Sequence, residues 1–226
     1  MIPPETLDVA PIPGGGELRL VRRDHEYLIL LGANSLMSSH RTGSEEALAA
    51  LACAPLAGRP RPRVLIGGLG MGFTLRAALP LLPRGAEIVV AELVPGVIAW
   101  ARGPLAHLHG ASLDDPRVRL VERDVAEAIA AAPAAWDAIL LDVDNGPEGL
   151  TIEANDALYQ ASGLARARVA LRPGGVVAIW SAHSDQRFAG RLRKAGFAVE
   201  EHVVRGGRAG RGARHVVWIG SAPRRR

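Results

Sequence analysis

The spacing of hydrophobic residues changes character along the chain, and the change divides it. "ELRLVRR", from Glu17, alternates apolar and polar positions. "EYLILLG", from Glu26, follows after a two-residue polar link, and together they predict a short N-terminal β-hairpin. The residues ahead of them, "MIPPETLDVAPIPGGG", predict an irregular arm, because prolines and glycines punctuate them. Ser44, with Glu45 and Glu46 behind it, predicts a helix N-cap with acids in the first turn, leading into "ALAALACAPL". "GRPRPR" reads as a linker, so residues 1–60 form a front section of arm, hairpin and helix.

From residue 61 short apolar runs alternate with helical patterns. "VLIGG", "AEIVVAEL", "RVRLVERD", "WDAILLDVD" and "VVAIWSA" predict five strands. Between them come "GFTLRAALPLL", a helix opened by Pro95, "VAEAIAAA", and a helix capped by Asn155 that runs to about Leu171. Pro173-Gly174-Gly175 predicts a turn; Ser184 predicts the cap of a last helix, which Gly196 ends. "AVEEHVV" and "RHVVWIG" follow with no helix between them, so they predict an antiparallel pair. Continuous apolar strands between helices require a parallel sheet covered on both faces. The fold class is therefore α/β, a doubly wound sheet with an antiparallel last strand and ligands at the carboxyl ends of its strands. Residues 61–222 form that nucleotide-binding catalytic domain, and 223–226 a basic tail.

Composition narrows the function. The chain has 226 residues, 48% of them hydrophobic, enough for a sizeable core. No apolar run approaches membrane-spanning length, and the first residues have neither a basic start nor an apolar core. A cytoplasmic protein without a membrane partner is the expectation. Cys53, the single cysteine, sits in an apolar helical pattern and reads as a buried structural thiol. A pI near 10.1 suggests nucleic acid, but the charge is concentrated. Arg205, Arg208, Arg211 and Arg214 share one glycine-rich loop, and Arg224, Arg225 and Arg226 form the tail; removing those seven from the formal charge of +4 leaves −3. No nucleic-acid partner is expected on that basis. His25, His40, His107, His109 and His202 have no ligand-like spacing with cysteines or acids, so no metal site is expected.

The candidate chemistry lies at the predicted strand ends. Gly68, Gly70 and Gly72 form G-x-G-x-G with Leu69 and Met71 between them. Phe73 departs from a dinucleotide fingerprint, and no P-loop Gly-Lys-Ser/Thr follows. Glu92 ends the second strand, where a carboxylate accepts hydrogen bonds from ribose hydroxyls. Asp124 ends the third, where an acid can meet an adenine amino group, and Asp142 ends the fourth. Each of these has a plainer reading as a tight turn or a capping acid; Asp144 reads equally as a turn-forming residue, and His183 as a loop histidine bonded to backbone. Tyr159 and Trp180 read as helix-face and core residues.

"VLIGGLGMGFTLRAAL", "AELVPGVIAWAR", "DPRVRLVERDVAEAI", "WDAILLDVDNGPEGL" and "LRPGGVVAIWSA" together resemble the spermidine synthase branch of class I S-adenosylmethionine-dependent transferases, from about Arg63 to Ala182. The front hairpin looks like a shortened form of that family's N-terminal β-domain. The resemblance implies a Rossmann-like seven-stranded class I methyltransferase sheet and a small-molecule substrate. It implies an adenosyl sulfonium cofactor held by Gly68, Gly70, Met71, Gly72, Glu92, Asp124 and Asp142. It also implies a homodimer, since the family's members commonly pair.

The departures bear on chemistry. Polyamine synthases carry an aspartate in the glycine loop, where this chain has Met71, and a tyrosine ahead of the front helix, where it has Ser44. The acid after the second strand is Val94 here, and the fourth strand ends "DVDNGP". Loss of the loop acid points to ordinary S-adenosylmethionine, whose own carboxylate neutralises its amine. The reading is therefore methyl transfer to a small amine or hydroxyl, with Asp142 and Asp144 catalytic and Asp144, Asn145 and His183 near the substrate. Aminopropyl transfer from decarboxylated S-adenosylmethionine to a polyamine is the alternative, and it gains if a carboxylate from elsewhere reaches the space Met71 leaves. A non-catalytic scaffold and an RNA methyltransferase using the arginine-rich loop are further alternatives.

Overall fold

The two hydrophobic periods correspond to two sheets in a computed structural model, which describes residues 3–143, 157–207 and 211–224. The front sheet is antiparallel and takes its strands in chain order: β1 (Glu5–Pro11), β2 (Glu17–Arg23), β3 (Glu26–Leu31) and β4 (Asn34–Ser38). The expected hairpin is β2–β3, with Leu20 opposite Ile29. The expectation of a hairpin alone needs correcting, because residues 5–11 of the arm pair with β2 from Glu5↔Arg22 to Pro11↔Glu17. β1 is an edge strand whose prolines stand before it and at its end, where no ladder bond is lost. It buries only Ala10, so it carries no alternation to read.

The second sheet has the order β10-β11-β9-β8-β5-β6-β7. Its strands are β5 (Arg63–Gly67), β6 (Glu87–Glu92), β7 (Val118–Glu122), β8 (Trp136–Leu141), β9 (Leu171–Ser181), β10 (Ala198–Arg205) and β11 (Arg214–Ser221). All neighbours from β7 to β9 are parallel, and β11 runs antiparallel between β9 and β10. Pro173-Gly174-Gly175, expected as a turn, lies inside β9, where a register shift opposite Trp136 and Ala138 absorbs the irregular segment.

The helices whose bounds lie within the described residues are α1 (Gly43–Cys53), α2 (Phe73–Ala78), α3 (Pro95–Arg102), α4 (Ala106–His109), α5 (Val125–Ala130), α6 (Ala161–Ala170) and α7 (Gln186–Lys194). Pro95 opens α3, and Gly196, at φ +89°, follows α7. Two caps shift by one or two residues, and the expected cap at Asn155 lies outside the described residues. Thr42 precedes α1, so Ser44 falls in its first turn, and Asp185 instead of Ser184 caps α7 by accepting from the Arg187 N–H at 2.7 Å. Cys53 is buried, and burial pushes its thiol up to about 12.

One face of the large sheet packs against α1 to α3, with Leu48, Leu75 and Trp100 buried. The other packs against α5 to α7, with Leu164, Phe188 and Trp218 buried. The front sheet joins the first of these cores through Leu18, Leu20 and Ile29. Trp100 ties it further by donating its indole N–H to Asp8 at 2.7 Å. α1 packs on β8, β9 and β11, which makes it part of the large sheet's helical layer. Among the described residues, no helix is long and apolar enough to cross a membrane.

Candidate functional site

The carboxyl ends of β5, β6 and β8 converge on a cleft of about 950 Å³, its open mouth included. Backbone bonds carry the sheet ladder into the loops that form it: Gly68 N–H donates to Ala91 O at 2.9 Å, and Asp142 N–H to Gly67 O at 3.0 Å. Leu18, Ile29, Leu36 and Met37 of the front sheet give the cleft an apolar wall, so that sheet is part of the site. Val97 and Trp180 extend the apolar surface; Trp180 stacks on His215 with centroids 4.9 Å apart.

Gly68, Gly70 and Gly72 all have positive φ, which only glycine adopts without strain. Their missing side chains serve the loop's own packing. A Cβ on Gly68 would strike the Asp142 carbonyl, one on Gly70 the Met37 thioether, and one on Gly72 the His109 ring. Gly68 and Gly70 line the cleft; Gly72 does not. Met71 is fully buried, and its N–H donates to Met37 Sδ at 3.1 Å, so its side chain belongs to the core.

Among the described residues four carboxylates line the cleft: Glu45, Glu92, Asp124 and Asp142. Glu92 is buried, and its two oxygens accept from Leu69 N–H at 2.8 Å and Val94 N–H at 2.9 Å. Burial raises its pKa against those bonds. A carboxylate oxygen accepts more than one hydrogen bond, so ribose hydroxyls have room beside the backbone donors. Asp124 caps α5 through Oδ1, which accepts from Ala126 N–H at 2.8 Å, leaving Oδ2 outside that bond. Asp142 accepts from the Thr74 hydroxyl at 2.5 Å; burial pushes its pKa up to about 6. Glu45 accepts from the Ser44 hydroxyl at 2.7 Å, and burial, followed by the Asp142 charge, pushes it up to about 7.

No lysine, arginine or histidine is among the described residues lining this cleft. A cavity whose described lining has four acids and no base favours cations, and its carboxylates, hydrogen-bonded but without a countercharge, are costly until one arrives. Of the residues singled out in the sequence, Gly68, Gly70, Glu92, Asp124 and Asp142 meet here. His183 does not; it is exposed, and its backbone N–H and carbonyl both bond the Ser181 hydroxyl. Asp144 and Asn145 lie outside the described residues.

The structure adds residues that sequence reasoning missed. Glu45 reads in sequence as a first-turn acid, with nothing to say that it reaches the end of β8. Trp180 reads as core. His109, read in sequence only as lacking metal-ligand spacing, is buried against the glycine loop, where burial lowers its pKa to about 4.

No protein-family model matches the chain. A polyamine aminopropyltransferase from Mycobacterium tuberculosis is 35% identical over 150 residues, covering 62% of this chain and 28% of that protein. Putrescine N-methyltransferase 4 from Nicotiana tabacum is 39% identical over 125 residues, covering 54% of this chain and 31% of that one. The chain thus spans less than a third of the length of these relatives. Among solved structures, a spermidine synthase bound to the transition-state analogue AdoDATO superposes with a TM-score of 0.73 at 19% identity, over 96% of this chain and 72% of that one. The Thermotoga maritima spermidine synthase gives a TM-score of 0.70 at 17% identity, with the same coverage.

Proposed function

We propose that this chain, similar in sequence to polyamine aminopropyltransferases and putrescine N-methyltransferases and in fold to spermidine synthases, transfers an alkyl group from an adenosyl sulfonium donor to a small cationic amine. The observation that carries the reading is the cleft of four acids with no base among its described residues. Glu92 and Asp124 suit the ribose and adenine of the donor. The amine nitrogen attacks the carbon bound to sulfur, the carbon–sulfur bond breaks, and its electron pair stays on sulfur as a thioether. The protein's part is mainly to align nucleophile, carbon and leaving sulfur.

The donor we favour is decarboxylated S-adenosylmethionine, and the reaction aminopropyl transfer. The expectation of methyl transfer rested on the acid missing at Met71. Met71 is core and does not line the cleft, whose described residues carry four acids, and the carboxylate of ordinary S-adenosylmethionine has no basic side chain to meet among them. Similarity to the putrescine N-methyltransferase supports methyl transfer as the second reading.

Calorimetric titration with S-adenosylmethionine, its decarboxylated form and methylthioadenosine tests both. Tighter binding of the decarboxylated form, with product formation from putrescine, is expected. Preference for S-adenosylmethionine with methyl transfer would select the second reading. Failure of all three to bind would leave the scaffold alternative.

A further inference from the structure

We propose that Glu45 takes the proton from the acceptor's ammonium while Asp142 holds that ammonium in place, an inference that rests on the alkyl-transfer reading above. An aliphatic amine is protonated at neutral pH and has no lone pair for attack until a base removes the proton. Four carboxylates among the described residues line the cleft. Glu92 has both oxygens engaged by backbone N–H groups, and Asp124 serves as the cap of α5. Asp142 is fixed by Thr74 at the end of β8, beneath the glycine loop. Glu45 approaches the same cleft from another element, held by the hydroxyl of its neighbour Ser44 and by backbone of its own helix turn, on a helix anchored by fully buried Leu48 and Ala49.

The surroundings of Glu45 suit a base. Arg76 on α2 turns away to the Leu108 carbonyl, and Arg205 on β10 to the Gly212 carbonyl. Arg172 on β9 pairs with Asp137 at the start of β8, and His215 on β11 stacks on Trp180. The charges that act on Glu45 are therefore Asp142 and, on its own helix, Glu46, both negative. Burial first, and these charges after it, raise its affinity for a proton into the neutral range. In the step, ammonium and Glu45 carboxylate become free amine and Glu45 carboxylic acid. The amine forms its bond to carbon, sulfur leaves as neutral thioether, and the product carries the positive charge the sulfonium lost. Glu45 then returns its proton to solvent.

The test measures transfer to putrescine from whichever donor the titration selects, between pH 6 and 9, for the wild type, Glu45→Gln and Glu45→Asp. Methylthioadenosine binding reports separately on the nucleotide site. Glu45→Gln should lower kcat about 100-fold or more. It should abolish the acidic limb of the wild-type pH profile and leave methylthioadenosine affinity within about threefold. Glu45→Asp should recover about tenfold of the loss, as a shorter carboxylate and not a structural filler would. A Glu45→Gln enzyme that keeps the wild-type kcat or the acidic limb would overturn the assignment. If Glu45→Gln does not fold, Glu45→Asp decides: a displaced acidic limb supports the role, and an unmoved one overturns it. Absence of nucleotide binding in the wild type would sink the alkyl-transfer reading itself; normal transfer with an indifferent Glu45 would sink only this inference.

Discussion

Strand β8 has an aspartate at each end of one continuous buried run, and the two have opposite surroundings. Asp137, at its start, is surrounded by cations: Arg59 and Arg172 both pair with it, and the Arg63 backbone N–H donates to it at 2.7 Å. Asp142, just past its end, has a hydroxyl from Thr74 and a second carboxylate, Glu45, for company. One charge is neutralised inside the protein; the other is left for something from outside. Asp137 is buried and Asp142 half-buried, but that difference in exposure is not what sets their roles. What separates them is whether the protein supplies the countercharge.

The contrast predicts different losses. Asp137→Ala should cost about 3 kcal/mol of unfolding free energy in a urea titration, since it strips the partner from two guanidinium groups that water partly reaches. Asp142→Asn should not be destabilising at pH 8, where it removes a repelled charge, and should instead abolish transfer. Equal destabilisation by both variants would erase the distinction.

Glu92 stands between these extremes, because its partners are backbone N–H groups and not cations. Glu92→Ala should weaken methylthioadenosine binding by about 2 kcal/mol, the scale of a charge-assisted hydrogen bond, in the same calorimetric titration. Unchanged affinity would mean that the ribose lies elsewhere.

These acids were not equally visible in the sequence. Glu92, Asp124 and Asp142 could be found because a parallel sheet delivers each strand's last residue to one edge, and apolar runs locate strand ends well. Pro95, Gly196 and the closing strand pair were legible for equally local reasons. β1 was not, because an edge strand with one buried residue has no alternation. Glu45 was not, because its meeting with Asp142 depends on how α1 packs over β8 and β9. The glycine loop was half-read. The positive φ values it needs follow from glycine, but the partners filling the space are Asp142, Met37 and His109, which are distant in sequence.

The smallest expected effect concerns the unpaired end of β8 and also needs no substrate. Glu45 and Asp142 are raised in the folded protein to about 7 and about 6, so the fold favours their protonated forms. Their contribution to stability is complete below about pH 4, where the unfolded chain is protonated as well, and is lost as pH rises through 6 and 7. His109, lowered to about 4, runs the other way: its contribution is present above the ordinary histidine pKa and is lost as pH falls toward 4. The wild-type melting curve mixes these opposing slopes, so the informative quantity is the difference between Glu45→Gln and wild type at each pH, in which His109 cancels. That difference should rise with pH across 4.5 to 8, and Glu45→Gln should melt about 3 °C above the wild type at pH 8. A difference that is flat across this range would mean that neither burial nor the Asp142 charge raises Glu45 in the folded protein. The cleft would then lack the unneutralised charge that sets it apart from the paired end of the strand.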